Sequence, residues 1–289
     1  MPGPRLSFNS LYAVAKKEFM DNVRNKWIIA LVLIFVLLTV LASYLAAGQQ
    51  ADGAGDGALG NMEETVLVLI SISSILVPII AIMLGYATIS GETESGALHV
   101  VLAYPVRRLE VLLGKFLGLG MVIVVATVGG FGLGGIIIAA VAGGEAIGGF
   151  LAFIGLTILL GLLFLSMAIL FSAICKRRST SIAAGVLLFF WGMIIGMIIF
   201  GIYYATGGSF EELFSGTGNF PNWLWAMEFL SPMDMTQIAT MQSFGLSGFM
   251  GYNLEVPGFV SVGSIVLVQV VWMLMALTLA YYFFRKRDI

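Results

Sequence analysis

Charge is what this 289-residue chain has least of: Asp, Glu, Lys and Arg together make up 10% of it. There is one histidine and one cysteine, Cys175. That excludes an intramolecular disulfide and any multi-ligand His/Cys metal site, and Cys175 reads as a small buried hydrophobe. A Walker A sequence is also missing. Gly114-Lys115 lacks the upstream glycine spacing and a following Ser or Thr, so if energy drives the chain another polypeptide supplies it. Asp52 and Asp56 begin like a calcium loop without its ligand spacing, so no metal is expected. No nucleic-acid partner or catalytic group is expected either, and the chain does not read as an enzyme.

What is present is apolar surface. The chain is 60% hydrophobic, with a mean hydropathy of +1.03. A bilayer core about 30 Å thick takes about 20 apolar helical residues to cross. Six windows hold no charged side chain: 27–47, 65–91, 116–144, 146–175, 179–210 and 256–284. Each is long enough to span. No Asp, Glu, Lys, Arg or His lies inside these windows, which argues against a proton relay, a voltage sensor or a charge-lined pore.

The 14 Lys and Arg cluster in the first 26 residues, in 91–115, at Lys176-Arg177-Arg178 and at Arg285-Lys286-Arg287. With six spans, all four places lie on one side. The positive-inside rule makes that side cytoplasmic, with both termini in it. Acids favour the opposite side.

Residues 10–26 suggest a helix. Leu11, Ala15, Phe19, Val23 and Trp27 recur at i+4, with Lys16, Lys17 and Arg24 on other faces, as in a basic helix lying in the membrane interface. Segment 48–64 is Gly-, Ala- and Asp-rich and reads as a flexible external connector. Pro78 is expected to kink the second span. Gly130, Gly132 and Gly135 match GxGxxG formally, but no strand precedes them and they lie deep in an uncharged span. Gly130 with Gly134, and Gly192 with Gly196, form GxxxG spacings that suit close helix packing. A tight outer turn at Glu145 would join spans three and four.

Segment 204–258 is the one long external loop. Ser231-Pro232-Met233-Asp234 combines a capping serine, a proline for the first helical position and an acid for the dipole. It predicts a helix from about Pro232 to Ser243, ending near Gly245. The Trp-rich part before it is expected in the outer interface, and the loop's methionines read as apolar filling.

The polar island Gly91–Lys115 holds three acids, three bases and the single histidine, His99. Gly91 would end the second span, and Glu92 and Glu94 favour a helix start. Leu98, Val101 and Leu102 give that helix an apolar stripe. Pro105 would break it, and Arg107, Arg108 and Glu110 would begin a second piece ending at Gly114-Lys115. The pattern fits equally an interfacial connector whose charges stay wet and a segment gripped by a partner.

The island runs Ser90-Gly91-Glu92-Thr93-Glu94-Ser95-Gly96-Ala97-Leu98, then Leu102, Pro105-Val106-Arg107 and Leu112-Leu113-Gly114-Lys115. In this it resembles the ABC-2 type permeases, whose corresponding loop has the form SGExExGTLxxLLxxPVxRxxxLLGK, with Ala97 standing where Thr is usual. The ending, with Tyr281 and Phe283-Phe284-Arg285-Lys286-Arg287-Asp288, is similar too. The resemblance covers essentially the whole chain and is greatest to the NosY-like branch, which serves maturation of a copper enzyme outside the cytoplasm.

It implies an all-α polytopic membrane protein forming one membrane domain over 1–289. That domain would have six transmembrane helices with both termini cytoplasmic, an interfacial elbow helix over 10–26 and an external helical cap in 204–258. It would sit in the cell membrane as a permease subunit. Its partners would be a second permease chain, as homodimer or heterodimer, and a separate ABC ATPase that carries the ATP and its magnesium, with no cofactor in this chain. Gly91, Glu92, Glu94, Gly96, Leu98, Leu102, Pro105, Arg107 and Lys115 would belong to the coupling loop that meets the ATPase. Two alternatives stand beside substrate passage: mechanical transmission to an extracytoplasmic partner, and a secondary transporter, whose ionisable intramembrane residues the spans lack.

Overall fold

A computed structural model of the chain describes residues 7–51, 58–98, 106–142, 147–208, 220–246, 248–249, 252–253 and 256–287. These residues are almost entirely helical. In order they form α1 (Phe8–Val23), α2 (Lys26–Ala51), α3 (Ala58–Gly85), α4 (Ser90–Glu94) and α5 (Arg108–Ala142). There follow α6 (Ile147–Ile174), α7 (Arg178–Ala205), α8 (Asn222–Glu228), α9 (Pro232–Ser243) and α10 (Val262–Lys286). A two-residue antiparallel pairing, Gly248–Phe249 with Tyr252–Asn253, follows α9. Five helices are long and apolar enough to cross a membrane. The bent pair α1–α2 makes six if it counts as one span.

Helix α6 is the axis. It packs against α3, α5, α7, α9 and α10, and Leu160, Leu163, Phe164, Leu165, Ala168 and Ile169 have no solvent exposure. A helix apolar all round has no polar face to turn outward and is buried from every side. Phe131 of α5 meets Phe35 of α2 and Phe153 of α6 edge-on, with ring centroids 4.9 and 4.6 Å apart. Helices α7 and α10 instead leave apolar faces open, with Leu187 70%, Met197 68% and Leu267 64% exposed.

Several expectations change. The connector 48–64 is largely helical, since α2 runs to Ala51 and α3 starts at Ala58. Its alanines extend both helices, and residues 52–57 lie outside the described residues, as does the turn at Glu145. Pro78 lies within α3 without ending it. Helix α3 ends at Gly85, while the apolar span continues past Gly91 to Glu94. Gly91 lies inside α4, its N–H donating to the Ala87 carbonyl at 3.0 Å.

Residues from Arg108 are not a separate piece. They are the first turns of the 35-residue α5, because Gly114 costs an α-helix only about 1 kcal/mol and does not break it. Helix α8 buries Trp225 at 2% exposure and leaves Trp223 at 38%, so the Trp-rich part is packed into the bundle's outer end as well as facing outward.

Helix α9 is where it was expected. The Ser231 hydroxyl accepts from the Asp234 N–H at 3.3 Å, Pro232 fills the first helical position, and Gly245 takes φ +69° just past the end. It is not a lid resting on the surface, however. Met233, Met235, Thr236, Ile238, Ala239, Thr240 and Met241 are all buried, and the helix is wedged among α3, α6, α7 and α10.

Candidate functional site

At the end of the bundle that carries the bases, helix ends are tied to one another by side chains from other helices. Glu110 of α5 accepts from the Ser7 N–H at 2.7 Å and the Arg107 N–H at 3.0 Å, so one carboxylate holds the start of α1 and caps its own helix. Arg108 donates to the carbonyls of Phe284, Arg285 and Arg287 at 2.7–2.9 Å, capping α10. Arg287 in turn donates to the Cys175 carbonyl at 2.7 Å and to that of Ser172 at 3.3 Å, capping α6.

The Ser172 hydroxyl accepts from the N–H groups of Ile89 and Ser90, each at 3.0 Å, which caps α4. Glu94 of α4 accepts from the Arg178 N–H at 2.8 Å, capping α7. A helix leaves about four N–H and four C=O groups unsatisfied at its ends. Here those orphan groups serve as the joints between α1, α5, α10, α6, α4 and α7.

The one buried ion cluster among the described residues sits in this network. Lys115 Nζ lies 2.6 Å from Glu92 Oε1 and 2.7 Å from Glu18 Oε1, and its side chain is 3% exposed. Helices α1, α4 and α5 therefore meet on one ammonium. Glycines let α1 come close enough. A Cβ on Gly114 would lie 2.8 Å from Val14 Cβ and 3.1 Å from the Leu11 carbonyl oxygen, and one on Gly118 would collide with the Ala15 backbone. Leu11, Ala15 and Phe19 face this contact half-buried, as their i+4 spacing predicts, whereas Val23 is 39% exposed.

Of the residues expected to act, Glu92 and Lys115 are thus brought together, and Glu94 reaches α7. Gly96 takes φ +75° and ends α4. This divides what was expected to be one helix reaching Leu102. Leu98 is fully buried in the core. The Arg107 N–H is held by Glu110, while Leu102, Pro105 and His99 lie outside the described residues. Glu94, Ser95 and Ala97 are exposed, as are Lys176, Arg177 and Arg178, and Glu94 meets Arg178, which gives this end of the bundle a polar surface.

The small-residue pairs pack differently from a simple helix–helix seam. Gly130 receives the ring of Phe35, and the surroundings of Gly134 lie outside the described residues. A Cβ on Gly192 would stand 3.2 Å from Met233 Cε, and one on Gly196 would strike the Asp234 carboxylate. Gly192 also meets Phe164 Cζ of α6, at 2.9 Å from the same Cβ position, so the pair on α7 seats both a membrane span and the start of α9.

Glu18 and Ser172 were not picked out from the sequence, and Arg108, Glu110 and Arg287 stood out there only as members of charged stretches, not as caps on other helices. The spacing Gly114-x-x-x-Gly118 was a usable signal, since it marks where a second helix can lie against the first turns of α5. At the outer end, buried Glu228 and Asp234 also escaped notice. Both carboxyls are pushed up by desolvation, Glu228 to about 8 with the Asp234 charge adding to the effect. Gln269 of α10 donates to the Thr236 hydroxyl at 2.7 Å, tying α9 to the last span.

Comparison with known proteins bears on the whole chain. Residues 12–289 match the family described as ABC-2 family transporter protein. A Pseudomonas aeruginosa protein named "Probable ABC transporter permease protein NosY" is 32% identical, the match covering 96% of this chain and 99% of that one. A protein of the same name from Stutzerimonas stutzeri is 31% identical with the same coverage.

Proposed function

The chain belongs to the ABC-2 family of transporter permeases, and from that premise we propose that it works as one of two membrane chains driven by a separate ATPase through segment 91–115. The observation that carries this reading is the Lys115 cluster. An ATPase seated on the exposed surface of α4 would press on a five-residue helix that cannot move alone. Glu92 ties α4 to α5 and α1, Glu94 ties it to α7, and Ser172 ties it to α6. A displacement there is shared among three spans. The charge asymmetry supports six spans, with α1 as an interfacial elbow, α2 as the first crossing and both termini cytoplasmic. The open apolar faces of α7 and α10 suit a second permease chain or lipid.

A second reading is mechanical transmission to an extracytoplasmic partner without substrate passage. The burial of α9 favours it, because a helix wedged among α3, α6, α7 and α10 would follow any rearrangement of those spans.

The test is purification from native membranes in mild detergent, with mass spectrometry of what accompanies the chain. A stoichiometric soluble ATPase, lost on Glu92→Lys, supports coupling through α4. A chain that purifies alone and moves solute in liposomes without ATP would overturn it. Unaltered ATPase stimulation with no cargo in vesicles, but loss of function on trimming α9, selects the mechanical reading.

A further inference from the structure

Between the α1–α2 bend and the ends of α3 and α4 lies a cavity of about 520 Å³. Ligand pockets usually measure about 300–1,000 Å³. Its wall is divided by polarity. Ile28, Leu31, Met83 and Leu84 form an apolar side, and Met83 is 39% exposed, so this side opens onto the outer surface of the bundle. The polar side carries charge of both signs. Glu18 and Glu92 share the single ammonium of Lys115, which leaves that wall one negative charge in excess. Asn22 and Asn25 line the space beside it.

Arg178 supplies the opposite charge. Its guanidinium lies over the Tyr86 ring, 5.4 Å from the centroid, and donates to the Tyr86 hydroxyl at 2.9 Å. It has no carboxylate within ion-pair distance among the described residues.

We propose that this cavity binds a membrane phospholipid whose zwitterionic headgroup ends in a primary ammonium. The ammonium would face Glu18 and Glu92, the phosphate Arg178, and the acyl chains Ile28, Leu31 and Met83. The proposal rests on the membrane placement given above. Three features select this headgroup. The formal charges of Glu18, Glu92, Lys115 and Arg178 cancel, so an anionic lipid gains nothing net. One cavity is lined both by a carboxylate pair that outnumbers its lysine and by an arginine, which matches a dipolar headgroup. A quaternary ammonium cannot donate hydrogen bonds and is held by aromatic faces, but among the described residues Tyr86 is the one aromatic lining the cavity and Arg178 covers it.

The experiment uses the full-length chain, purified without its ATPase and reconstituted with equal parts of dioleoyl phosphatidylethanolamine, phosphatidylcholine and phosphatidylglycerol. Retained lipid is then read by native mass spectrometry. One phosphatidylethanolamine per chain is expected, favoured over the other two by about tenfold or more, the effect of one charge-assisted hydrogen bond. Met83→Trp, at an exposed position that folding tolerates, should block the mouth, and Arg178→Gln should remove the phosphate contact. Each should abolish the preference. Equal retention of the three lipids, or undiminished phosphatidylethanolamine in both variants, would overturn the proposal. Because no ATPase is present, lipid selectivity can hold while coupling through α4 fails, and the reverse.

Discussion

Lys115 Nζ lies 2.6 Å from Glu92 Oε1, joining the fourth helix to the fifth across a gap of 23 residues. The lysine side chain is 3% exposed and the glutamate 20%, so the pair is shielded on one side and wet on the other. Truncating one member of such a buried pair costs up to about 3–5 kcal/mol, because the other charge loses its partner. Lys115→Met should therefore lower the melting temperature markedly, and more than Glu92→Gln does. The double variant should be less damaged than the sum of the two, which thermal unfolding in detergent would read directly. Strict additivity would mean that the two side chains do not interact.

Close approach of α1 makes a separate prediction. Gly118→Val places a side chain where the Ala15 backbone already stands. Overpacking of this kind costs typically about 1–3 kcal/mol. The helix should lift from α5 while the spans still insert, since their apolar windows are unchanged. Limited proteolysis should then cut near Arg24 several times faster than in the parent chain. An unchanged cutting rate would show that α1 does not depend on this contact.

Part of the fold was legible in the sequence at both ends of the bundle, and the reason is local. Ser231, Pro232 and Gly245 act through capping and backbone geometry within a few residues, so α9 was placed correctly. Gly91–Lys115 stood out because charge is rare around it. Glu18 and Arg287 were hidden because their meaning is non-local. Glu18 meets Lys115 across 97 positions and Arg287 meets Cys175 across 112, and neither spacing is periodic. Glu110 and Lys115 were read as parts of a separate short piece outside the span, because charge was taken to mark the membrane edge. In the structure the first turns of α5 carry them into the packed bundle, where partners satisfy them.

The outer carboxyls give a pH dependence whose sign is fixed. Burial raises Glu228 to about 8 from an ordinary value of 4.5, and Asp234 moves the same way. Neither oxygen of Glu228 has a hydrogen-bond partner among the described residues. A raised acid keeps its proton in the folded chain at pH values where the unfolded chain has lost it. The contribution of Glu228 is therefore fully present at and below pH 4.5 and is lost as pH rises towards about 8, by up to about 1.4 kcal/mol per unit. The melting temperature of the purified chain should drop across that window, and Glu228→Gln should flatten the drop and raise stability at pH 8. A profile identical to the parent's would remove Glu228 from the explanation.

Cys175 offers a native probe for the last joint. Its carbonyl accepts from Arg287 Nη2 at 2.7 Å, and the same guanidinium reaches Ser172. Ser172 also holds the start of α4 through the N–H groups of Ile89 and Ser90. Arg287→Ala leaves the end of α6 uncapped, and each carbonyl stranded away from water costs about 1–3 kcal/mol. Lysine would not restore the arrangement, because a point ammonium cannot span several carbonyls as a planar fork does. The lone thiol is half-buried, so fraying there should expose it. Maleimide labelling of Cys175 should become several-fold faster in Arg287→Ala and stay fast in Arg287→Lys. Arg178→Ala, which removes a side chain from the neighbouring helix without touching this cap, should leave the rate unchanged. If Arg287→Lys labels as slowly as the parent, charge alone holds the end of α6. The chain of caps from α10 through α6 to α4 would then be looser than its geometry indicates.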